Sequence, residues 1–443
     1  MTPVTTERTR LASALLGLSL LISAVAAGAP VDPQGELLST SPESVGFASD
    51  RLARIDPFMA REMATGRLPG ASVVVLRHGK IVFTRVYGKA DADRGTPLAA
   101  DSLFRIYSMT KPVTGVAMMI LFEEGKWHFD DPVTKFIPEF KDLRVFKAVA
   151  PDGTLQTEPV SRPPTMRELI THTAGFAYGL DESTPYDKAY HAADFMRAAS
   201  TNEAIAKIAA LPMFDQPGQH WHYSAAADIQ GYIVERLSGQ TLADFMQTHI
   251  FGPLRMKDTG FHVPPEKMRR FVAMKQVDAQ QLKLVDPNTI LNFDYSRPPK
   301  VASGGAGLVS TLRDYSRFAQ MLVNGGELEG VRVLSPAAVK LLDSNQLADD
   351  IHVKPEAFSV ASGMGFGVDV SVTLDTAKAD TLGGLGTFGW GGAAGTNFWV
   401  DPTNDVVVVS MMQILQRWGD PDLKSFDTDL SNLVYAALVH PEK

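Results

Sequence analysis

No cysteine occurs anywhere in the 443 residues. Disulfides, thiol catalysis, Cys-ligated zinc, iron–sulfur clusters and a lipoprotein anchor are therefore excluded. Charge is sparse too: 21% of residues are Asp, Glu, Lys or Arg, with a net balance of −8. A generally basic, nucleic-acid-binding surface is not expected. No apolar run after the N-terminus approaches the length of a membrane span; Val113–Phe122 reads as a buried helix. Several hydrolase and cofactor signatures are also missing. There is no Gly-x-Ser-x-Gly elbow and no His-Glu-x-x-His metal motif. Gly384-Leu-Gly386-Thr-Phe-Gly389 matches a dinucleotide loop by its letters but does not open a helix after a strand. His220 and His222 have no third ligand at metal spacing and read as polar loop residues. Neither a metal nor a cofactor is expected.

Apolar residues make up 45% of the chain, with 23 Phe, 10 Tyr and 5 Trp. That is ample material for a packed core and excludes a disordered chain. Arg8 and Arg10 precede the apolar run Leu11–Val25, and Ala24-Val25-Ala26 is a small-x-small cleavage site. This predicts a secretory signal over 1–26, hence a periplasmic or secreted protein with no stable membrane association after cleavage.

Residues 27–48 read as a loose lead-in. Ser49 or Asp50 predicts the start of a helix to about Ala64. Two β-rich runs, Ala71–Arg77 and Ile81–Tyr87, flank His78-Gly79 and predict a hairpin. An apolar helix is expected from Ser108 to about Glu124. Strand signals return at Gly365–Val372, Gly395–Val400 and Val406–Met411, and a helix is predicted at Phe426–Leu438. Strands thus sit at both ends of the chain, with a helical block between them. The expected fold is α+β: an antiparallel sheet flanked by the terminal helices, with a helical domain inserted and a site in the cleft between. The predicted division is 49–111 with 301–443 for the α/β part, and 112–300 for the mainly helical part.

Ser108-Met109-Thr110-Lys111 is the segment with the clearest chemistry. Positions i and i+3 share a helix face, so an ammonium can reach the hydroxyl. A buried lysine loses its charge more readily and can then take the serine proton. A serine at a helix start also meets N–H groups that favour a developing anion. The four-letter pattern by itself is weak. Pro112 requires that the helix begin slightly after Ser108 or open with a distorted turn.

Context strengthens it. Pro217-Gly-Gln-His-Trp-His-Tyr223-Ser-Ala feeds a helix, and Phe388-Gly-Trp390-Gly391-Gly392-Ala-Ala-Gly precedes strand-like Asn397–Val400. Together with Leu169-Ile-Thr-His-Thr-Ala-Gly, Ile250-Phe-Gly-Pro-Leu and Gly304-Gly-Ala-Gly-Leu-Val-Ser-Thr, these resemble the serine β-lactamase and penicillin-binding-protein superfamily over roughly residues 40–435. The likeness is greatest to the family VIII carboxylesterases. The resemblance implies a β-lactamase/transpeptidase-like fold with Ser108 as nucleophile. Lys111 and Tyr223 would share the proton transfers, and the N–H groups of Ser108 and Ala393 would form the oxyanion hole. Trp390, Gly391 and Gly392 would line the substrate on the sheet edge facing the nucleophile. A tyrosine near its free pKa of about 10 is a poor base, so its surroundings must shift it.

Two departures select the branch. Lactam-cleaving members carry Lys-Thr-Gly where this chain has Trp390-Gly391-Gly392, and Tyr-x-Asn where it has Tyr223-Ser224-Ala225. Both losses disfavour amide substrates bearing a carboxylate and suit a neutral ester. The expected activity is hydrolysis of a small-molecule, short-chain carboxylic ester. The alternatives are a β-lactamase or D-Ala-D-Ala carboxypeptidase, an acyltransferase, or an inactive lactamase-like sensor. Oligomeric state is open at this stage.

Overall fold

The segment Gly70–Arg77 is buried along its whole length, as a central strand with both faces covered must be. Its β-branched run divides by the two-residue period of a strand. Val73 and Val75 face one apolar cluster, while Val74 and Leu76 face another. Val406 and Val408 join the first, Val407 and Val409 the second. This strand is interior to an antiparallel eight-stranded sheet in the order Met364–Phe366, Ser371–Thr373, Phe388–Gly391, Asn397–Asp401, Val406–Met411, Gly70–Arg77, Lys80–Asp91, Thr96–Pro97. The antiparallel sheet of the expected α+β fold is thus formed from both ends of the chain.

These features come from a computed structural model. It describes Met1 and residues 37–442, except 181–182, 279, 282, 286–292, 350, 354–361, 416–422 and 424. The signal expected at 1–26 and the first part of the lead-in lie outside the described residues. No helix among the described residues is long and apolar enough to cross a membrane.

On one face of the sheet lie the helices Ser49–Leu52, Ile55–Ala64 and Phe426–Ala437, with Phe58 and Phe426 ring to ring at 5.2 Å. On the other, Leu312–Val323 packs Tyr315 against Phe398 at 5.0 Å. The same side holds the helix Thr110–Glu123, buried from Thr110 to Leu121. It packs against the helix Ala226–Ser238. The hairpin at His78-Gly79 forms with both residues at positive φ, 51° and 70°, the geometry of a two-residue turn that follows the strand twist.

Several expectations change. The helix predicted from 49 to 64 breaks after Leu52, because Pro57 lacks the N–H that would bond the Ala53 carbonyl. The strand predicted at 365–372 is two short strands, Met364–Phe366 and Ser371–Thr373. Between them Asp369 takes φ 57° and Gly367 N–H bonds the Val370 carbonyl at 2.8 Å. The middle of the chain also carries a hairpin, Arg144–Val149 with Leu155–Pro159. The Phe388–Gly391 strand is not at the sheet edge. It pairs on both sides, but only Phe388 and Gly389 meet Ser371 and Val372. Trp390 and Gly391 run beyond that pairing, so this end behaves locally as an edge.

Candidate active site

The backbone enters the site through Ile106 and Tyr107. Tyr107 sits at φ 42°, in the left-handed region that non-glycine residues rarely adopt. Its ring is buried, and burial raises its phenol to about 12, with Arg105 opposing. Tyr107–Met109 forms one tight 3₁₀ turn, and the α-helix begins at Thr110. Pro112 therefore falls in the first α-turn, where a missing N–H needs no acceptor. Ser108 is half-buried at the middle of the 3₁₀ turn, just ahead of the helix.

Lys111 is completely buried. Its Nζ donates to the Gly305 carbonyl at 2.9 Å and lies 3.4 Å from the Tyr178 hydroxyl. Nζ also lies 4.4 Å from the centre of the Tyr223 ring. Tyr223 occupies the loop between the short strand His220–Trp221 and the Ala226–Ser238 helix. That loop is tied down by backbone bonds: His222 N–H to the His172 carbonyl at 2.9 Å, and Ala225 N–H to the Ala177 carbonyl at 3.0 Å. Ser224 N–H donates to His172 Nδ1 at 3.2 Å, which makes Nδ1 the acceptor of a neutral imidazole. Burial first, then the nearby Lys111 charge, hold His172 well below its ordinary value. His172 thus satisfies loop backbone groups and packs its ring 5.0 Å from that of Tyr223.

Trp390 closes another side, its ring 5.8 Å from Tyr223 and 5.3 Å from Phe366. The turn after it is held against the segment leading into Ser108. Gly392 N–H bonds the Thr396 carbonyl at 2.7 Å, and the Thr396 hydroxyl bonds the Ile106 carbonyl at 3.3 Å. A side chain at Gly392 would put its Cβ 2.3 Å from the Ile106 carbonyl oxygen, so the close approach requires glycine. The structure therefore brings Lys111, Tyr223 and Trp390 into one cluster beside the turn that carries Ser108. It also sets the turn of Gly392 and Ala393 against the backbone two residues before that serine. His220 pairs with Asp215, and His222 stacks on Phe214 at 4.2 Å.

Sequence reasoning missed Tyr178, Ser303, Gly305, Asp228 and Asp369. The two acids are fully buried. Burial raises both, Asp228 against the pull of Lys111 and its hydrogen-bond donors, and Asp369 to about 8. A usable signal existed for Asp228: it is an acid in the first turn of a helix whose first nine residues are all buried. Gly304-Gly305 was visible as a glycine pair but carried no chemistry by itself.

Comparison with known proteins places these features. Residues 55–429 match the family described as Beta-lactamase. Protein Rv1367c of Mycobacterium tuberculosis is 39% identical over 355 residues, covering 79% of this chain and 86% of that protein. Esterase EstB of Burkholderia gladioli is 32% identical over 369 residues, covering 80% and 88%. The solved structure of EstCE1, described as a hydrolase with promiscuous acyltransferase activity, superposes with a TM-score of 0.71 at 24% identity, covering 87% of this chain and 99% of that one. That structural likeness speaks for the fold.

Proposed function

The chain belongs to the beta-lactamase family, and from that premise we propose that it is a carboxylesterase that cleaves short-chain esters through an acyl-enzyme on Ser108. The family match and the relative named Esterase EstB support serine hydrolase chemistry of the β-lactamase-like kind. The observation that carries the finer reading is the wholly buried Lys111 beneath Tyr223, beside an aromatic Trp390 where lactam-cleaving members carry a cation.

In this reading Ser108 Oγ attacks the ester carbonyl carbon while its proton passes to Lys111 or Tyr223. The carbonyl oxygen becomes an oxyanion facing the N–H groups of Ser108 and Ala393. The C–O bond to the alcohol breaks, and the same proton is delivered to the leaving oxygen. Water then attacks the acyl carbon and gives its proton to the Lys111–Tyr223 pair; the bond to Ser108 Oγ breaks, Oγ takes that proton back, and the acid leaves. Trp390, Tyr223 and Phe366 form an aromatic wall that suits an uncharged acyl or alcohol group and offers no counter-charge to a carboxylate. The signal segment supports a periplasmic or secreted location, which cell fractionation with an activity stain would test.

The deciding experiment compares the purified protein with Ser108→Ala on p-nitrophenyl acetate, butyrate and octanoate and on a chromogenic cephalosporin. Fast short-ester turnover, lost in the variant and accompanied by little lactam cleavage, is the expected result. Lactam cleavage rivalling ester cleavage would overturn the ester assignment. Full ester activity in Ser108→Ala would overturn the nucleophile.

A further inference from the structure

We propose that Asp228 is the positioning residue of Lys111: its carboxylate holds the Gly305 turn whose carbonyl meets Lys111 Nζ, lies beside the Tyr178 hydroxyl, and supplies the counter-charge. The inference rests on the reading of Ser108 and Lys111 as the acylating pair. Asp228 projects from the first turn of the Ala226–Ser238 helix and is fully buried. Its Oδ1 accepts from the Ser303 hydroxyl at 2.5 Å and from Gly305 N–H at 3.2 Å. Its Oδ2 and the Tyr178 hydroxyl converge on the same spot, since a Cβ at Gly305 would lie 2.5 Å from each. Gly305 turns its carbonyl to Nζ at 2.9 Å, and the Tyr178 hydroxyl stands 3.4 Å from Nζ. Asp228 thus holds the turn whose carbonyl meets Nζ and lies beside the other oxygen near it, the Tyr178 hydroxyl.

Charge points the same way. The titratable groups around Lys111 are Tyr178, Tyr223, His172, Asp228 and Asp369. His172 is held neutral, and Asp369 keeps its proton up to about 8. Tyr178 is pushed up by burial, with the nearby Asp228 next in effect. Asp228 has what a buried anion needs: two hydrogen-bond donors, a place in the first turn of a helix, and a cation nearby. An oriented counter-charge stabilises the positive charge that forms on Lys111 as it takes up the Ser108 proton in acylation.

The test is Asp228→Asn in the intact chain, with kcat and KM for p-nitrophenyl butyrate followed from about pH 5 to 9. Without the anion Lys111 loses its proton more easily, so the ascending limb of kcat should move down by about one pH unit. The kcat plateau should fall about 10- to 100-fold, with KM changed less than about threefold. Asp369→Asn removes no charge below about 8 and should leave the limb in place. If Asp228 served only to hold the fold, the active-site titre and melting temperature would drop while the limb stayed put; that result overturns the proposal. Should Asp228→Asn not fold, Tyr178→Phe takes its place. A kcat loss of about tenfold at full active-site titre is then expected, and undiminished kcat overturns the proposal. Ser108→Ala measured alongside separates the two levels. If it retains activity, the site reading itself fails. If it is inactive while the Asp228→Asn limb is unmoved, only the role of Asp228 fails.

Discussion

Lys111 Nζ lies 4.4 Å from the centre of the Tyr223 ring. An ammonium over an aromatic face is stabilised by the ring quadrupole, and the Gly305 carbonyl at 2.9 Å adds an acceptor. Complete burial of the lysine acts in the opposite direction, because low dielectric penalises charge. The two residues therefore share one electrostatic environment, and in the proposed mechanism they act as one proton-accepting pair.

Lys111→Met keeps the length of the side chain and removes the ammonium; Tyr223→Phe keeps the ring and removes the hydroxyl. Each should lower kcat for p-nitrophenyl butyrate by about 10²- to 10⁴-fold with little change in KM. The double variant should lose no more than the worse single one, since parts of one proton path are not additive. Multiplying losses in the double variant would show two separate roles.

Gly392→Ala tests the turn beside the proposed nucleophile, Ser108. The new methyl would meet the Ile106 carbonyl and the Thr396 hydroxyl, each at 2.3 Å. The turn must then move away from the segment leading to Ser108. Acylation, read as the p-nitrophenolate burst, should slow by at least about tenfold while the protein remains folded. An unchanged burst would mean that this turn does not set the reacting geometry.

Asp369 should make stability depend on pH. Burial raises its folded value to about 8, against about 3.9 in the unfolded chain. Between those values the native state holds a proton that the unfolded chain has released. Stability therefore falls as pH rises from about 4 through 8. Asp369→Asn removes this dependence. Its melting temperature should gain on the wild type as the pH increases, and parallel curves would refute the assignment.

Arg77 is buried among backbone carbonyls. Its guanidinium bonds those of Val45 at 2.7 Å, Asn404 at 3.0 Å and Pro441 at 2.6 Å, joining both ends of the described chain to the central strand. Arg77→Met should cost about 2–4 kcal/mol of stability through the stranded carbonyls. Activity per folded molecule should be unchanged. Denaturant titration beside active-site titration would check both parts.

Much of the frame was legible in the sequence because its signals are local. The β-branched run at 71–76, the His78-Gly79 turn and the apolar helix after Thr110 each declare themselves within a dozen residues. The breaks were harder to see. Pro57 divides a helix, and the left-handed Asp369 folds one expected strand into two. In both places a single residue's backbone preference outweighs the hydrophobic pattern.

The sequence by itself determined the segment Ser108–Lys111, because i and i+3 are neighbours wherever the chain turns helically. It also determined the absence of thiol chemistry and the aromatic Trp390 where lactam-cleaving members carry a lysine. Only the tertiary structure decided what surrounds the lysine. Tyr178, Tyr223, Asp228 and Gly305 come from distant parts of the chain, and only the fold brings them around Lys111. Their chemistry comes from being packed together in the buried interior. Hydrogen bonds and charge that would count for little in solvent become decisive in a low dielectric, and no sequence spacing encodes that juxtaposition.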